Sequence, residues 1–287
     1  MIRRCPLFLA SVIVLMTVAG VATRPACAQT QARYETVFYP SGTLRIAAYL
    51  YRPAGEGPFP LVVYNHGSRV GAERQPRPFP DQAQLFLSAG YAVLVAERRG
   101  YGASDGPTVA EDVGNETGPQ LIARLQEETD DVLAAVDYVK TLRFVDSDQL
   151  GVVGWSFGGI VTMLAISRSA AFKVAVDQAG GALTWNRSAA VRAALTDAAQ
   201  QARAPVLLLV AANDNTTASI TTVDHELTSR GLPHEMKIYP PFTPPRPARG
   251  IAPGHLVFSA AGIGVWGSDT LAFLGRYLSP AAPAASR

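Results

Sequence analysis

Gly154-Trp155-Ser156-Phe157-Gly158 sets a serine between two glycines, where a short apolar run ends and an apolar helical run begins. A strand, a sharp turn and a helix form the setting in which G-x-S-x-G lifts a serine hydroxyl clear of the backbone. Flanking glycines let the chain bend there without Cβ clashes. The chemistry predicted is acyl transfer through a serine ester, with Ser156 as nucleophile and Phe157 N–H as one donor to the oxyanion. The same spelling recurs at Gly102-Ala103-Ser104-Asp105-Gly106, but Pro107 follows at once and no helical period resumes. That stretch reads as a turn, so Ser104 is expected to be a loop serine.

A serine hydroxyl needs a base to take its proton and a third group to orient the base. Asp214 lies just beyond the apolar run 205–211, and His255 follows Gly254 in the loop after the last strand-like run. The chain order Ser156, Asp214, His255 is one of the known serine-triad orders. Asp177, at the end of the preceding strand, is the rival for the acid. The second oxyanion donor is expected from the loop after Asn65-His66-Gly67, with Ser68 N–H first and Arg69 N–H as the alternative. His66 is expected to pin that loop, His225 to be solvated, and His234 has no metal-ligand spacing to a partner. Gly100-Tyr101-Gly102 followed by Asp105 fails the dinucleotide pattern at its sixth position. Arg69, Arg74, Arg77, Arg98 and Arg99 fall in two loops on the catalytic edge. They either favour acidic or phosphate-bearing esters or are solvated surface groups.

The elements that must position these residues alternate between β-rich and helical runs, which argues for a doubly wound, mainly parallel α/β sheet with helices on both faces. Strands are expected at 34–39 and 44–51 (an antiparallel edge hairpin), then at 61–65, 91–96, 149–154, 172–177, 205–211 and 234–239. Helices are expected at 80–89, 119–142, the run after Ser156, 188–202, 218–230 and 268–278. Leu121, Leu125, Val132, Val136 and Val139 form the apolar stripe of the long helix. The 27 residues from 178 to 204 leave room for a small lid or none. The six prolines Pro240, Pro241, Pro244, Pro245, Pro247 and Pro253 are expected to stiffen a wall of the pocket.

Residues 1–28 read as a signal peptide: Arg3-Arg4, an apolar run from Leu7 to Ala22, and Ala26-Cys27-Ala28 before Gln29. The run falls short of the ~20 residues of a spanning helix, so export to the periplasm or medium is expected, an uncleaved anchor being the alternative. Residues 29–287 then form one domain, with no membrane span after leader cleavage. Of 25 basic residues, Arg3, Arg4 and Arg24 lie in the leader, which leaves 22 against 23 acidic ones. That balance gives no basis for nucleic-acid binding. Both cysteines, Cys5 and Cys27, lie in the leader, so the remainder has no disulfide, thiolate metal site or cysteine nucleophile.

His66-Gly67, Arg99-Gly100-Tyr101-Gly102-Ala103-Ser104, the Ser156 turn, Asn213-Asp214 and Gly254-His255 together resemble the α/β-hydrolase superfamily. Within it the chain is similar to dienelactone-hydrolase-like and prolyl-oligopeptidase-like serine esterases over about residues 34–280. The resemblance implies a small-molecule ester substrate and no metal or cofactor. One departure is clear: dienelactone hydrolases proper carry cysteine at the turn, and Ser156 stands here, which favours ordinary carboxylic esters. A peptidase or amidase of the prolyl-oligopeptidase type and a non-catalytic binding protein on the same fold are the alternatives.

Overall fold

The computed structural model describes residues 32–279; the leader expected over residues 1–28 lies outside the described residues. Eight strands form one sheet: β1 (Glu35–Ser41), β2 (Leu44–Tyr51), β3 (Phe59–Asn65), β4 (Ala92–Ala96), β5 (Val145–Trp155), β6 (Val174–Gln178), β7 (Val206–Ala211) and β8 (His234–Tyr239). Their order is β1-β2-β4-β3-β5-β6-β7-β8. β1 and β2 pair antiparallel as an edge hairpin, and β3 through β8 run parallel. The central strands β3, β4, β6 and β7 are buried along their whole length. This follows from helices covering both faces, which demands unbroken apolar runs rather than alternation. Strand order reverses between β3 and β5, and the crevice at the carboxyl ends of such a pair is where an open α/β sheet places its ligands.

The helices are α1 (Pro80–Ser88), α2 (Val109–Asp112), α3 (Pro119–Val139), α4 (Phe157–Arg168), α5 (Ala189–Gln201), α6 (Ala218–Ser229) and α7 (Ile263–Leu274). The short α2 was not expected; its start is a capping box in which Thr108 and Glu111 satisfy each other's backbone N–H. α7 begins five residues earlier than the sequence suggested, because Gly264 and Gly267 do not break it. A Cβ on Gly267 would lie 3.1 Å from Leu85, so that glycine lets α1 pack closely. Among the described residues, no helix is long and apolar enough to cross a membrane.

The apolar stripe of α3 buries Leu121, Leu125, Val132, Val136 and Val139 as expected, and it carries charge within it. Glu128 accepts from Arg98 Nε at 2.7 Å, with both side chains wholly buried, and from Arg124 Nε at 3.3 Å. Asp131 takes Arg99 through its side chain and its backbone N–H. Arg98 also donates to the carbonyl of His66 at 2.9 Å, so the network on α3 reaches the end of β3. Removing one member of a buried ion pair strands the other charge. Glu128→Ala should therefore cost about 3–5 kcal/mol, read as a lower urea midpoint; a loss below about 1 kcal/mol, typical of exposed pairs, would show that this pairing does not hold the loop.

Candidate active site

Ser156 closes β5 and opens α4 with φ 60° and ψ −118°, a left-handed backbone for a residue with a Cβ. Such strain costs about 1–3 kcal/mol and persists only where the surroundings enforce it. The neighbouring glycines supply the enforcement sterically, not through their own φ. A Cβ on Gly154 would lie 2.0 Å from the Gly158 carbonyl oxygen, and one on Gly158 would lie 2.0 Å from that of Asn65. The first turn of α4 is thus pressed against the ends of β5 and β3. Ser156 N–H is held by the Gln178 carbonyl at 2.9 Å, and its own carbonyl accepts from Gly159 and Ile160.

Phe157 is the first residue of α4, so its N–H has no partner within the helix. Across the crevice, Gly67 comes so close that a Cβ there would lie 3.0 Å from the Cβ of Ser156. His66 is fully buried, and burial first, then Arg98 and Arg69, push its imidazole well below the ordinary value, so the ring is neutral. Its Nδ1 lies 2.6 Å from the Gly67 carbonyl, while Nε2 is 3.4 Å from that of Glu97. The shorter contact requires the proton on Nδ1. Carbonyl and N–H of a trans peptide point opposite ways, so fixing the Gly67 carbonyl also directs the Ser68 N–H. Ser68 lines the same cavity as Ser156 and Phe157, and Arg69 does not.

His255 arrives on a 3-10 turn, Pro253–Phe258, at the end of the proline-rich segment. Asn213 receives it: its amide donates to the Phe242 carbonyl and accepts the Phe242 N–H, each at 2.9 Å. Gly254 then packs on Asn213 and Asp214, where a Cβ would come within 2.5 Å of backbone. The result is an ion-pair geometry of 2.8 Å between His255 Nδ1 and Asp214 Oδ2, with both side chains buried. Asp214 Oδ1 is held by the Asn215 N–H at 2.6 Å. The indole N–H of Trp155 donates to the His255 carbonyl at 3.1 Å, tying the His255 backbone to the residue before Ser156. His255 Nε2 is buried and has no hydrogen-bond partner among the described residues.

Ser156, Phe157 and Ser68 open on a cavity of about 760 Å³, which Gly181, Leu183 and Asn215 also line. The expected proline wall takes a different form: Gly250, Ile251 and Ala252 line the cavity, and none of the six prolines does. The five arginines of the two loops do not face it either. Arg69 pairs with Glu97, Arg98 with Glu128, Arg99 with Asp131 and Glu127, and Arg74 donates to the Ser104 and Gly106 carbonyls. Arg77 is exposed and contributes its backbone N–H to Glu97. Ser104 is indeed a loop residue, its hydroxyl accepting the Ala47 N–H at 2.9 Å.

An eight-stranded, mostly parallel sheet with an N-terminal antiparallel hairpin, a strained serine turn after β5 and helices on both faces defines an α/β hydrolase. The chain belongs to the dienelactone hydrolase family, whose family model matches residues 46–247. It is 32% identical over 123 residues to the quorum-quenching protein AidA of Acinetobacter baumannii, covering 43% of this chain and 36% of that one. It is 31% identical over 140 residues to the uncharacterized peptidase YuxL of Bacillus subtilis, covering 46% of this chain and 19% of that one. The chain therefore spans well under half of these curated relatives. Among solved structures, an acylaminoacyl peptidase of Pyrococcus horikoshii superposes with TM-score 0.66 at 18% identity, over 90% of this chain and 44% of that one. An esterase of Pyrococcus furiosus superposes with TM-score 0.61 at 16% identity, over 86% and 92%.

Asp177 has no contact with His255; it lies beneath the first turn of α4, its Oδ1 accepting the Gly180 N–H at 2.7 Å and its Oδ2 unpartnered. Burial pushes its carboxyl up to about 7, with the Gly180 hydrogen bond pulling the other way. An unfolded aspartate titrates near ~3.9, so folding takes up a proton between those values. Stability should accordingly fall as pH rises from about 4 to about 7 and level off above. Asp177→Asn, neutral throughout, should lack that part of the slope; equal slopes in urea midpoints across pH 4 to 8 would contradict the assignment.

Proposed function

We propose that this chain is a serine hydrolase that cleaves carboxylic esters through an acyl-enzyme on Ser156. The observation that carries the reading is His255, with Nδ1 committed to Asp214 at 2.8 Å and Nε2 left free, tied through Trp155 to the strained turn that bears Ser156. In this reading His255 Nε2 takes the Ser156 proton as Oγ attacks the ester carbonyl, and Asp214 stabilises the imidazolium that results. Phe157 N–H and Ser68 N–H donate hydrogen bonds to the carbonyl oxygen as negative charge builds on it, each worth about 3 kcal/mol in such sites. The imidazolium then protonates the departing alcohol. Water enters, gives its proton to His255, attacks the acyl carbon and releases the acid with Ser156 restored. Ser156 Oγ and His255 Nε2 make no hydrogen bond, and such contacts commonly tighten only with substrate bound.

The family and both structural relatives named above are compatible with ester or amide cleavage, and serine in place of cysteine at the turn favours ordinary carboxylic esters over a dienelactone. Export, with the leader removed before Gln29, belongs to the same proposal and rests on residues 1–28 of the sequence. N-terminal sequencing of protein recovered outside the cytoplasm should read from Gln29; intact Met1 would contradict it.

Ser156→Ala should reduce turnover of p-nitrophenyl acetate by about 10⁴-fold or more, and Asp214→Asn by about 10³–10⁴-fold, each with the fold retained. p-Nitroanilides of the same acyl group should turn over far more slowly than the esters. Full activity of either variant removes the assignment, and anilide rates equal to ester rates would move it to a peptidase.

A further inference from the structure

The least exposed charged residue that lines the cavity beside Ser156 is an acid. Three charged residues line the cavity among the described residues: Glu73, Glu116 and Arg187. Glu116 and Arg187 are exposed and of opposite sign, so at that site they are screened and largely offset each other. Glu73 differs, being only 7% exposed. Its carboxylate makes no ion pair or hydrogen bond among the described residues, and its oxygens keep some contact with solvent. Its position is nonetheless fixed, because its backbone carbonyl accepts from Arg69 Nη2 at 3.0 Å and from Gly102 N–H at 2.8 Å. The Arg69 guanidinium touches Glu73 only there, and has Glu97 as its own carboxylate. A carboxylate on a mostly buried residue, without a partner of its own, is available to a cation that enters the cavity, and this residue lines the same cavity as Ser68 and Ser156.

We propose that Glu73 is a specificity residue that recognises a cationic group, an alkylammonium or protonated amine, carried by the ester that occupies the cavity. The inference rests on the proposed role of Ser156 and adds the substrate class. It replaces the acidic-ester alternative drawn from the arginine-rich loops: Arg69, Arg98 and Arg99 are taken by Glu97, Glu128, Asp131 and Glu127, Arg74 and Arg77 do not line the cavity, and the Glu73 carboxylate points to a substrate of opposite charge. A cation within a few ångströms of a carboxylate inside a cavity gains more than one in bulk water.

The test uses two fluorophosphonates that differ only in the alkoxy arm, one ending in trimethylammonium and the other in its neutral tert-butyl isostere. Fluoride is a small leaving group, so the arm is free to enter the cavity, and inactivation reports the encounter without requiring turnover. The cationic probe should inactivate the full-length protein about tenfold faster at low salt, and the ratio should shrink towards one as salt is raised. Glu73→Gln should bring the ratio to within about twofold of one, whatever its effect on either rate alone, and Glu73→Lys should invert it. If both probes inactivate the wild type at equal rates, or the Glu73→Gln ratio matches that of the wild type, the inference is overturned while the nucleophile stands. If neither probe modifies the folded protein, the nucleophile assignment fails and takes the inference with it.

Discussion

Ser156 is held at φ 60° by neighbours that leave no room for relaxation, and the arrangement of the site follows from that one constraint. Gly154 and Gly158 are glycines because backbone atoms occupy the space their Cβ atoms would need. Gly67 is a glycine because Ser156 does. The compression places the free N–H of Phe157, the Ser68 peptide and the serine hydroxyl around one small volume where β3 and β5 diverge. Strain of this kind is retained only if the flanking structure is stiff. Here the stiffness comes from fully buried strands on either side and from α4, buried along nearly its whole length.

Charge is partitioned with equal economy. The arginines and carboxylates around β4 and α3 neutralise one another inside the protein, and their output is mechanical: Arg98 and the Glu97 contacts hold the loop that carries Ser68. His66, stripped of charge by burial and by those same guanidinium groups, sets the direction of a single peptide. At the base, one carboxylate fixes one ring nitrogen and leaves the other unpartnered. Two acidic groups stand outside this internal pairing. Asp177 is buried under the Ser156 turn with its carboxyl pushed up to about 7, and Glu73 lines the cavity.

Much of this was legible in the residues. The parallel sheet followed from apolar runs long enough to be buried on both faces, and the serine turn from a strand–glycine–helix junction. Asp214 and His255 were picked out by their places after strands. What was not legible depended on pairs far apart in the chain. Arg98 and Arg99 meet their carboxylates some thirty residues later on α3, and no local pattern announces that. One signal was present: Glu128 falls in step with Leu121, Leu125, Val132 and Val136, so a charge occupies the apolar stripe and demands a buried partner. Glu73, in a loop between Ala72 and Arg74, carries no such signal. The early start of α7 was hidden by two glycines, of which Gly267 has a packing role that appears only when α1 lies against it.

The central claim is that the hydroxyl at position 156 becomes covalently acylated. Acid-quenching the protein during turnover of p-nitrophenyl acetate and mapping its peptides by mass tests this directly. The account predicts one acetyl group, carried by Ser156, formed in a burst and lost on further incubation. An acetyl group on another residue, or steady turnover with Ser156 unmodified at every time sampled and no burst of p-nitrophenol, would contradict it.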